Sequence, residues 1–190
     1  CRNPQKEKPI LDEQALKMLI AAPDNSKMGI RDKTIMILLY DSAARIDEIL
    51  SLRKQDLSID TDAPFIHVIG KGQKERIIAL TDKTCEHLRQ YISLYHSKNT
   101  PATDLLFYTS IKGVIGKMSE ANVERFLKKY ADMVRTEYPH IPASVHPHMF
   151  RRTRATGLYR DGVDLSIVSR FLGHSHLETT RIYAIPSVEM

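Results

Sequence analysis

The sequence predicts a mainly α-helical domain with a small antiparallel β-sheet, that is, the α+β class. Apolar residues recur at three- and four-residue spacing in most segments, which is typical of amphipathic helices. Short extended runs surround one glycine-bearing turn within residues 65–80, which indicates a β-hairpin. The chain has 190 residues, 42% of them hydrophobic, and is long enough to bury one core.

Three helical segments are predicted in the first part of the chain. Residues 10–22 carry apolar side chains at helical spacing, with Asp12 as the N-cap. Residues 31–44 are more apolar, which indicates a buried helix. The helical pattern continues over residues 45–52, so Arg45 is expected to open a helix at the edge of the core.

The middle of the chain contains the hairpin and the most loop-like stretch. Strands are predicted at residues 65–69 and 76–80, and a helix with one apolar stripe follows at 81–97. Residues 99–116 contain a proline and two glycines and are predicted as a loop, apart from a brief strand at 105–107.

The last third of the chain is predicted to be helical. A basic amphipathic helix is expected at residues 119–135 and another helix at 147–160. Asp164 is expected to cap a helix at 165–172, and residues 177–184 are the last helical piece. The sequence shows no internal repeat and no second composition regime, so a single domain is expected.

The chain is basic, with 28 lysines and arginines against 23 acidic residues and a net charge of +5. This charge favours a polyanionic partner such as nucleic acid, although solvated helix faces explain it equally well. Only Cys1 and Cys85 are present, too few for a disulfide framework or a four-ligand zinc site, and a cytoplasmic location is expected. No apolar run approaches the roughly 20 residues of a membrane helix, so no membrane partner is expected.

Six side chains carry the groups that phosphoryl transfer without a metal requires. They are Arg45, Lys71, His148, Arg151, His174 and Tyr183. Taken singly, each has an ordinary explanation, such as a surface ion pair, a solvated turn, a helix cap or a core aromatic. His148 and Arg151 are three residues apart, so on a helix they share a face and can address one anion.

Taken in order, the six residues predict a division of labour around a phosphodiester. The guanidiniums of Arg45 and Arg151 would bind the non-bridging oxygens, where charge grows in the transition state. Tyr183 would be the nucleophile with His148 as its base, and Lys71 would protonate the departing sugar oxygen. No group of carboxylates, histidines or cysteines has ligand spacing, so neither a metal nor another cofactor is expected.

The segments that hold these residues resemble the motifs of the tyrosine recombinase (phage integrase) family. Residues 42–52 resemble its first arginine box, 68–76 its lysine hairpin and 147–152 its His-x-x-Arg box. Residues 172–183 resemble its closing box, in which Tyr183 follows His174 by nine positions. Order, spacing and flanking residues agree in all four places, and together the segments span nearly the whole chain.

The resemblance implies the family fold, a role for each of the six residues and a mechanism. Five of them would activate the phosphate, and Tyr183 would form a 3′-phosphotyrosyl link and free a 5′-hydroxyl. Glu48 matches an accessory acidic residue of the first box, and a plainer alternative is that it only orients Arg45. Strands would then be exchanged without ATP. The implied partners are double-stranded DNA at a specific recombination site and other protomers, four of which act on two duplexes.

This sequence departs from the family pattern in two residues and in length. Ala43 stands where a glycine is usual, and Arg152 stands where histidine is common. The whole chain, residues 1–190, resembles the catalytic domain alone, so an N-terminal DNA-clamping domain and a C-terminal tail helix are expected to be absent from it. Basic residues outside the six are predicted to contact the DNA backbone: Arg125, Lys128, Lys129, Arg154 and Arg160.

Two other functions stay open at this point. Residues 164–180 also have the pattern helix, glycine turn, helix, which is typical of a DNA-binding regulator without catalysis. That interpretation leaves the lysine hairpin and the arginine box unexplained. A strand-relaxing enzyme of the type IB topoisomerase kind would use the same residues as a recombinase, and residue types do not separate the two.

Overall fold

The computed structural model describes residues 8–174 and consists of helices around two small sheets. The helices are α1 (Glu13–Ala21), α2 (Lys27–Ser42), α3 (Ile46–Leu50), α4 (Asp82–Tyr95), α5 (Glu120–Arg135), α6 (Pro147–Arg160) and α7 (Leu165–Leu172). The strands are β1 (Leu57–Ser58), β2 (Phe65–Ile69), β3 (Glu75–Ala79), β4 (Tyr108–Ile111) and β5 (Val114–Lys117), and a 3₁₀ turn covers Lys54–Asp56. The predicted α+β class is confirmed, while the helix predicted at 177–184 lies outside the described residues.

Side-chain caps set the beginnings of most helices. Asp12 accepts a hydrogen bond from the backbone N–H of Ala15 at 2.7 Å, as predicted, and Asp164 caps α7 in the same way. Ser26 accepts from the N–H of Gly29 at 3.0 Å and starts α2 four residues earlier than the apolar pattern predicts. The first turn of α2 is polar on most sides, so the cap and not the apolar period locates its start.

The first sheet has the order β1-β2-β3 with antiparallel pairing throughout. Ile66 and Val68 of β2 point into the core and are almost fully buried, as alternate residues of a strand with one buried face are. The turn between β2 and β3 closes through a 2.8 Å hydrogen bond from the N–H of Gly70 to the carbonyl of Lys74. The strand β1 was not predicted, because two residues carry too little pattern to detect.

The second sheet corrects the loop predicted at residues 99–116. Strands β4 and β5 form a hairpin there, and Ile111, Val114 and Ile115 at its tip are exposed. Residues 105–107 do not form the predicted strand: Leu105 makes one isolated bridge and the next two side chains are buried in the core. A hairpin that faces solvent on both sides has no apolar alternation, so the pattern misses it.

Helix α2 runs through the centre of the core. Its side chains Ile35, Met36, Leu38 and Leu39 are inaccessible to solvent, and α4 and α6 pack against it. A smaller apolar cluster joins the end of α2 to α6 and α7. Within residues 8–174, no helix combines the length and the apolar character that a membrane span requires.

Candidate active site

The site begins at the end of α2, where Ala43 turns the chain. Ala43 has a φ of 48° and ψ of 21°, a left-handed conformation in which glycine is the least strained residue. Its methyl group is buried in the small cluster with Ala155, Val168 and Leu172. The alanine thus keeps the backbone turn that glycine would favour and gains apolar contact in exchange for local strain.

Arg45 follows this turn and is the N-cap residue of α3, as predicted. Its backbone N–H donates to Oε2 of Glu48 at 2.8 Å, and its Nη1 lies 3.5 Å from Oε1 of the same carboxylate. The Arg45 side chain is 43% exposed, whereas that of Glu48 is 4% exposed. The guanidinium therefore presents most of its N–H groups to solvent, while the carboxylate is buried beneath it.

Glu48 is held by a second arginine, Arg76 of β3, whose role the sequence motifs do not predict. Nη1 and Nη2 of Arg76 donate to the two carboxylate oxygens of Glu48 at 2.6 and 2.9 Å. Burial acts to raise the pKa of Glu48, but the hydrogen bonds from Arg76 and from the Arg45 backbone outweigh it and lower the pKa. One sequence signal could have found Arg76: it alternates with buried Ile78, so it faces inward on the strand.

Arg151 on α6 is the largest of the almost fully buried side chains, with 1% exposure. Its Nη1 donates to the carbonyl of Ala43 at 2.5 Å, and its Nη2 donates to the carbonyl of Leu172 at 2.7 Å. Nη2 also lies 3.1 Å from Nε2 of His174. The guanidinium is therefore fixed by groups from the end of α2 and the end of α7.

His174 and His148 are the imidazoles of the site. Burial, followed by the positive charges of Arg151 and Arg45, lowers the pKa of His174 to about 4. His148 keeps an exposed edge, yet the surrounding protein atoms and the charges of Arg152 and Arg151 lower its pKa to about 4 as well. Both rings are neutral at pH 7, and Nε2 of His174 accepts from Arg151, because a guanidinium has no acceptor atom.

The other two predicted catalytic residues are Lys71 and Tyr183, and only Lys71 lies within the described residues. Lys71 lies in the turn between β2 and β3, as predicted, and is exposed. Among the described residues, no hydrogen bond joins its amine to the arginines or histidines above. Tyr183 lies outside the described residues, so its role stays a prediction.

The residue after Arg151 connects α6 to the segment before α1. Arg152 is buried, and its Nη1 donates to the carbonyl of Pro9 at 2.9 Å. Beside it, the hydroxyl of Thr153 accepts from the N–H of Leu11 at 2.9 Å. In place of the common histidine, this chain thus uses an arginine that fastens the segment before α1 to α6.

The predicted DNA contacts divide into free and engaged side chains. On α5, Arg125, Lys128 and Lys129 are exposed. Lys128 pairs with an aspartate one turn along the helix at 2.8 Å, and the amine of Lys129 lies 5.2 Å from the centre of the Tyr130 ring. Arg160 is exposed at the end of α6. Arg154 is half-buried, with its guanidinium 5.4 Å from the centre of the Tyr40 ring. Contact with DNA stays a prediction for all five.

Comparison with known proteins decides the family. The sequence profile of the Phage integrase family matches residues 9–189. The chain belongs to this family. Residues 8–174 of this integrase-family protein contain no group of three or more histidine, cysteine, aspartate or glutamate side chains arranged to hold a metal ion.

Relatives of this integrase-family protein include named recombinases. It is 33% identical to the tyrosine recombinase XerC of Chlamydia caviae over 183 residues, which are 96% of this chain and 55% of that protein. It is 34% identical to a tyrosine recombinase of Pseudothermotoga lettingae, covering 96% of this chain and 59% of that protein. The chain spans about half the length of the curated relatives it matches.

Solved structures confirm the fold of a tyrosine recombinase catalytic domain. The crystal structure of XerA recombinase matches with a TM-score of 0.78 and 26% identity, over 99% of this chain and 62% of that one. The XerH site-specific recombinase in a post-cleavage complex with its palindromic difH substrate gives 0.74 and 26%, over 94% and 50%. The catalytic domain of the bacteriophage HP1 integrase gives 0.60 at 20% identity, over 92% and 86%, and supports the fold alone.

Proposed function

We propose that this protein is a site-specific DNA recombinase that cuts and rejoins strands through a covalent 3′-phosphotyrosyl intermediate, without metal or ATP. The observation that carries the proposal is the convergence of groups from distant parts of the chain. Nη2 of Arg151 lies 3.1 Å from Nε2 of His174. The charges of Arg45 and Arg151 and the neighbouring His148 all act on the His174 ring, so these four side chains lie near one another.

This cluster of two arginines and two histidines suits a phosphodiester whose negative charge increases during the reaction. Arg151 is rigid, because two backbone carbonyls and His174 hold its guanidinium. Arg45 is anchored by its backbone and keeps an exposed side chain that can close on a non-bridging oxygen. Preorganised donors of this kind stabilise a transition state more than a ground state, because they need no reorganisation as charge develops.

The neutral imidazoles can handle the proton of the nucleophile. In the free protein the pKa of His148 is about 4, so at pH 7 its ring can accept a proton. A bound phosphate adds negative charge and raises that pKa, because an anion favours the protonated ring. His148 would therefore accept the proton of Tyr183 best once DNA is in place.

The chemical step balances with the residues available. The oxygen of Tyr183 forms a bond to phosphorus, and the bond between phosphorus and the sugar 5′-oxygen breaks. Lys71, on its exposed turn, supplies the proton that makes this leaving group a 5′-hydroxyl. The reverse step, with the 5′-hydroxyl of another strand, regenerates Tyr183 and joins the strands without an external energy source.

The comparisons support a DNA partner. XerH is described with its difH substrate both before and after cleavage. For this chain we propose double-stranded DNA at a specific recombination site, synapsed by four protomers, and a cytoplasmic location where such DNA lies. A regulator without catalysis is not favoured, because the family match extends over the arginine box, the lysine hairpin and the closing box together.

Covalent trapping tests the proposal. A pool of nicked duplexes with randomised sequence is incubated with the protein in EDTA and quenched with detergent, and adducts are isolated and sequenced. We expect an adduct that Tyr183→Phe abolishes and that Tyr159→Phe, a change at an exposed tyrosine of α6, leaves intact. DNA binding without any adduct would overturn the proposal and favour a regulator.

A second duplex distinguishes the two enzymatic alternatives. The trapped intermediate is supplied with a partner duplex that carries a free 5′-hydroxyl. Joining of the trapped strand to the partner supports recombination. Rejoining only within the original duplex would instead identify a strand-relaxing enzyme.

A further inference from the structure

Arg76 is engaged at the centre of the site although the proposed mechanism gives it no task. Its two terminal nitrogens donate to the two carboxylate oxygens of Glu48 at 2.6 and 2.9 Å. Its side chain is only 15% exposed and that of Glu48 only 4%. Two charges this deeply buried are stable together only while each is paired, so removing one leaves the other uncompensated.

Loss of Arg76 would change the position of the Arg45 side chain. The carboxylate of Glu48 is contacted by two guanidiniums, closely by Arg76 and at 3.5 Å by Arg45. Without Arg76, Arg45 would be the remaining cation on a buried anion, and attraction would draw its guanidinium inward. Arg76 therefore leaves Arg45 free to face outward.

The backbone around Arg76 is built for this close fit. A Cβ atom placed on Gly173 would lie 3.0 to 3.2 Å from the guanidinium and Cδ of Arg76. A Cβ atom placed on Gly70 would lie 3.0 Å from Oε1 of Glu48. Glycine at both positions lets the ion pair sit between the hairpin and the residue before His174.

We infer that Arg76 is a positioning residue of the reaction: by neutralising Glu48 it keeps the Arg45 guanidinium available to the scissile phosphate. The inference rests on the proposed function, since it assumes that Arg45 binds phosphate. It assigns Arg76 no contact with DNA. Its effect is carried by charge, which gives it a signature that a purely structural contact lacks.

Neutralising Glu48 is the decisive test. Single-turnover cleavage is measured on a duplex selected by the trapping experiment, with wild type, Arg76→Ala, Arg76→Lys and the double variant Arg76→Ala/Glu48→Gln. We expect Arg76→Ala to slow cleavage about tenfold or more, as small misplacements of catalytic groups do. Glu48→Gln should restore most of this loss in the double variant, because no buried anion then attracts Arg45. Arg76→Lys, which keeps the charge, should fall between wild type and Arg76→Ala.

The control variant Arg89→Ala removes the same charge and a similar set of contacts as Arg76→Ala. Arg89 of α4 donates to Asp60 at 2.8 Å and to the carbonyl of Ile59 at 2.7 Å, away from the site. Arg89→Ala should cleave like wild type. Equal loss in Arg76→Ala and Arg89→Ala, or a double variant as slow as Arg76→Ala, would overturn the inference.

A chemically altered substrate tests the link to Arg45 directly. A methylphosphonate at the scissile position removes the negative charge that Arg45 would neutralise. The deficit of Arg76→Ala relative to wild type should shrink on this substrate, and an undiminished deficit would contradict the inference. If wild type forms the adduct but the double variant is as slow as Arg76→Ala, this inference alone is overturned. If wild type forms no adduct, the proposed function is overturned and this inference with it.

Discussion

Arg151 illustrates how a single side chain is prepared for anion binding by its surroundings. A planar guanidinium reaches the carbonyls of Ala43 and Leu172 and the ring of His174 at once. A lysine amine is a point donor without the fork that satisfies separated acceptors. The geometry therefore predicts a strict requirement for arginine at this position.

Arg151→Lys should lower covalent adduct formation by about two orders of magnitude, as loss of a preorganised donor does. It should also lower the free energy of unfolding by about 1–3 kcal/mol, because a buried carbonyl loses its donor. Adduct yield and urea denaturation measure the two effects. The control is Arg89→Lys, at an exposed position of α4 away from the site, and equal behaviour of the two variants would contradict the prediction.

The two histidines predict a dependence of stability on pH. An unfolded histidine has a pKa of about 6.5, whereas the folded values for His148 and His174 are lowered to about 4. Between these values the unfolded chain binds more protons, so stability falls as pH falls from about 6.5 towards 4. Urea unfolding at a series of pH values should show this decline. Replacing both histidines with glutamine should make the decline shallower in that window, and an unchanged slope would be inconsistent with the lowered pKa values.

At the scale of elements, caps and periodicity predicted more than strand patterns did. Asp12 and Asp164 cap their helices as expected, because a cap depends on neighbours within three residues. The β4–β5 hairpin escaped prediction because its residues face solvent and its pairing depends on no apolar face. Arg45 at the start of α3 was predictable, but the left-handed turn at Ala43 that directs it was not, since alanine rarely adopts that conformation.

The conformation of the turn that presents Lys71 should affect the rate of cleavage. Gly72 has a φ of 74° and an added Cβ would meet open space, so Gly72→Ala introduces backbone strain and no clash. The strain, about 1 kcal/mol, should shift the turn and misplace the lysine. Cleavage of natural DNA should slow, while a duplex with sulfur in place of the 5′-bridging oxygen should react nearly as with wild type, because a thiolate leaves without a proton.

The matched change for this turn is Gly113→Ala, in the second hairpin, where φ is 80° and the added Cβ also meets open space. It introduces the same strain away from Lys71. Single-turnover rates on the two duplexes should therefore be unchanged by Gly113→Ala. A Gly72→Ala deficit that is equally large on the sulfur substrate would show that the turn does not act through proton donation.

At the scale of the whole molecule, the candidate site is assembled from segments more than 100 positions apart. Sequence reasoning could place His148 and Arg151 on one helix face, because that relation is local. The hydrogen bond from Arg151 to the carbonyl of Ala43 spans 108 positions and follows from the packing of α6 against α2. The chemistry of the six residues and the resemblance to a family brought the distant residues together, and neither indicated the pairing of Arg76 with Glu48.

The charge distribution of the molecule predicts how DNA binding responds to salt. Arg125 and Lys129 on α5 are exposed and make no ion pair with another described residue, so each can neutralise one phosphate. Each phosphate contact contributes a slope of about −0.9 to the dependence of log affinity on log salt. The double variant Arg125→Ala/Lys129→Ala should therefore reduce the magnitude of the slope by about 2. Fluorescence anisotropy with one duplex at several salt concentrations measures the slope.

Lys17→Ala provides the comparison for that measurement, because Lys17 is exposed on α1 and already paired with Glu13 at 2.5 Å. It removes a positive charge without removing a predicted phosphate contact, so its slope should equal that of wild type. If both variants weaken binding through net charge alone, their slopes would change in proportion to the charge removed. A slope for the α5 variant that matches wild type would mean that this face of the helix does not lie on the DNA backbone.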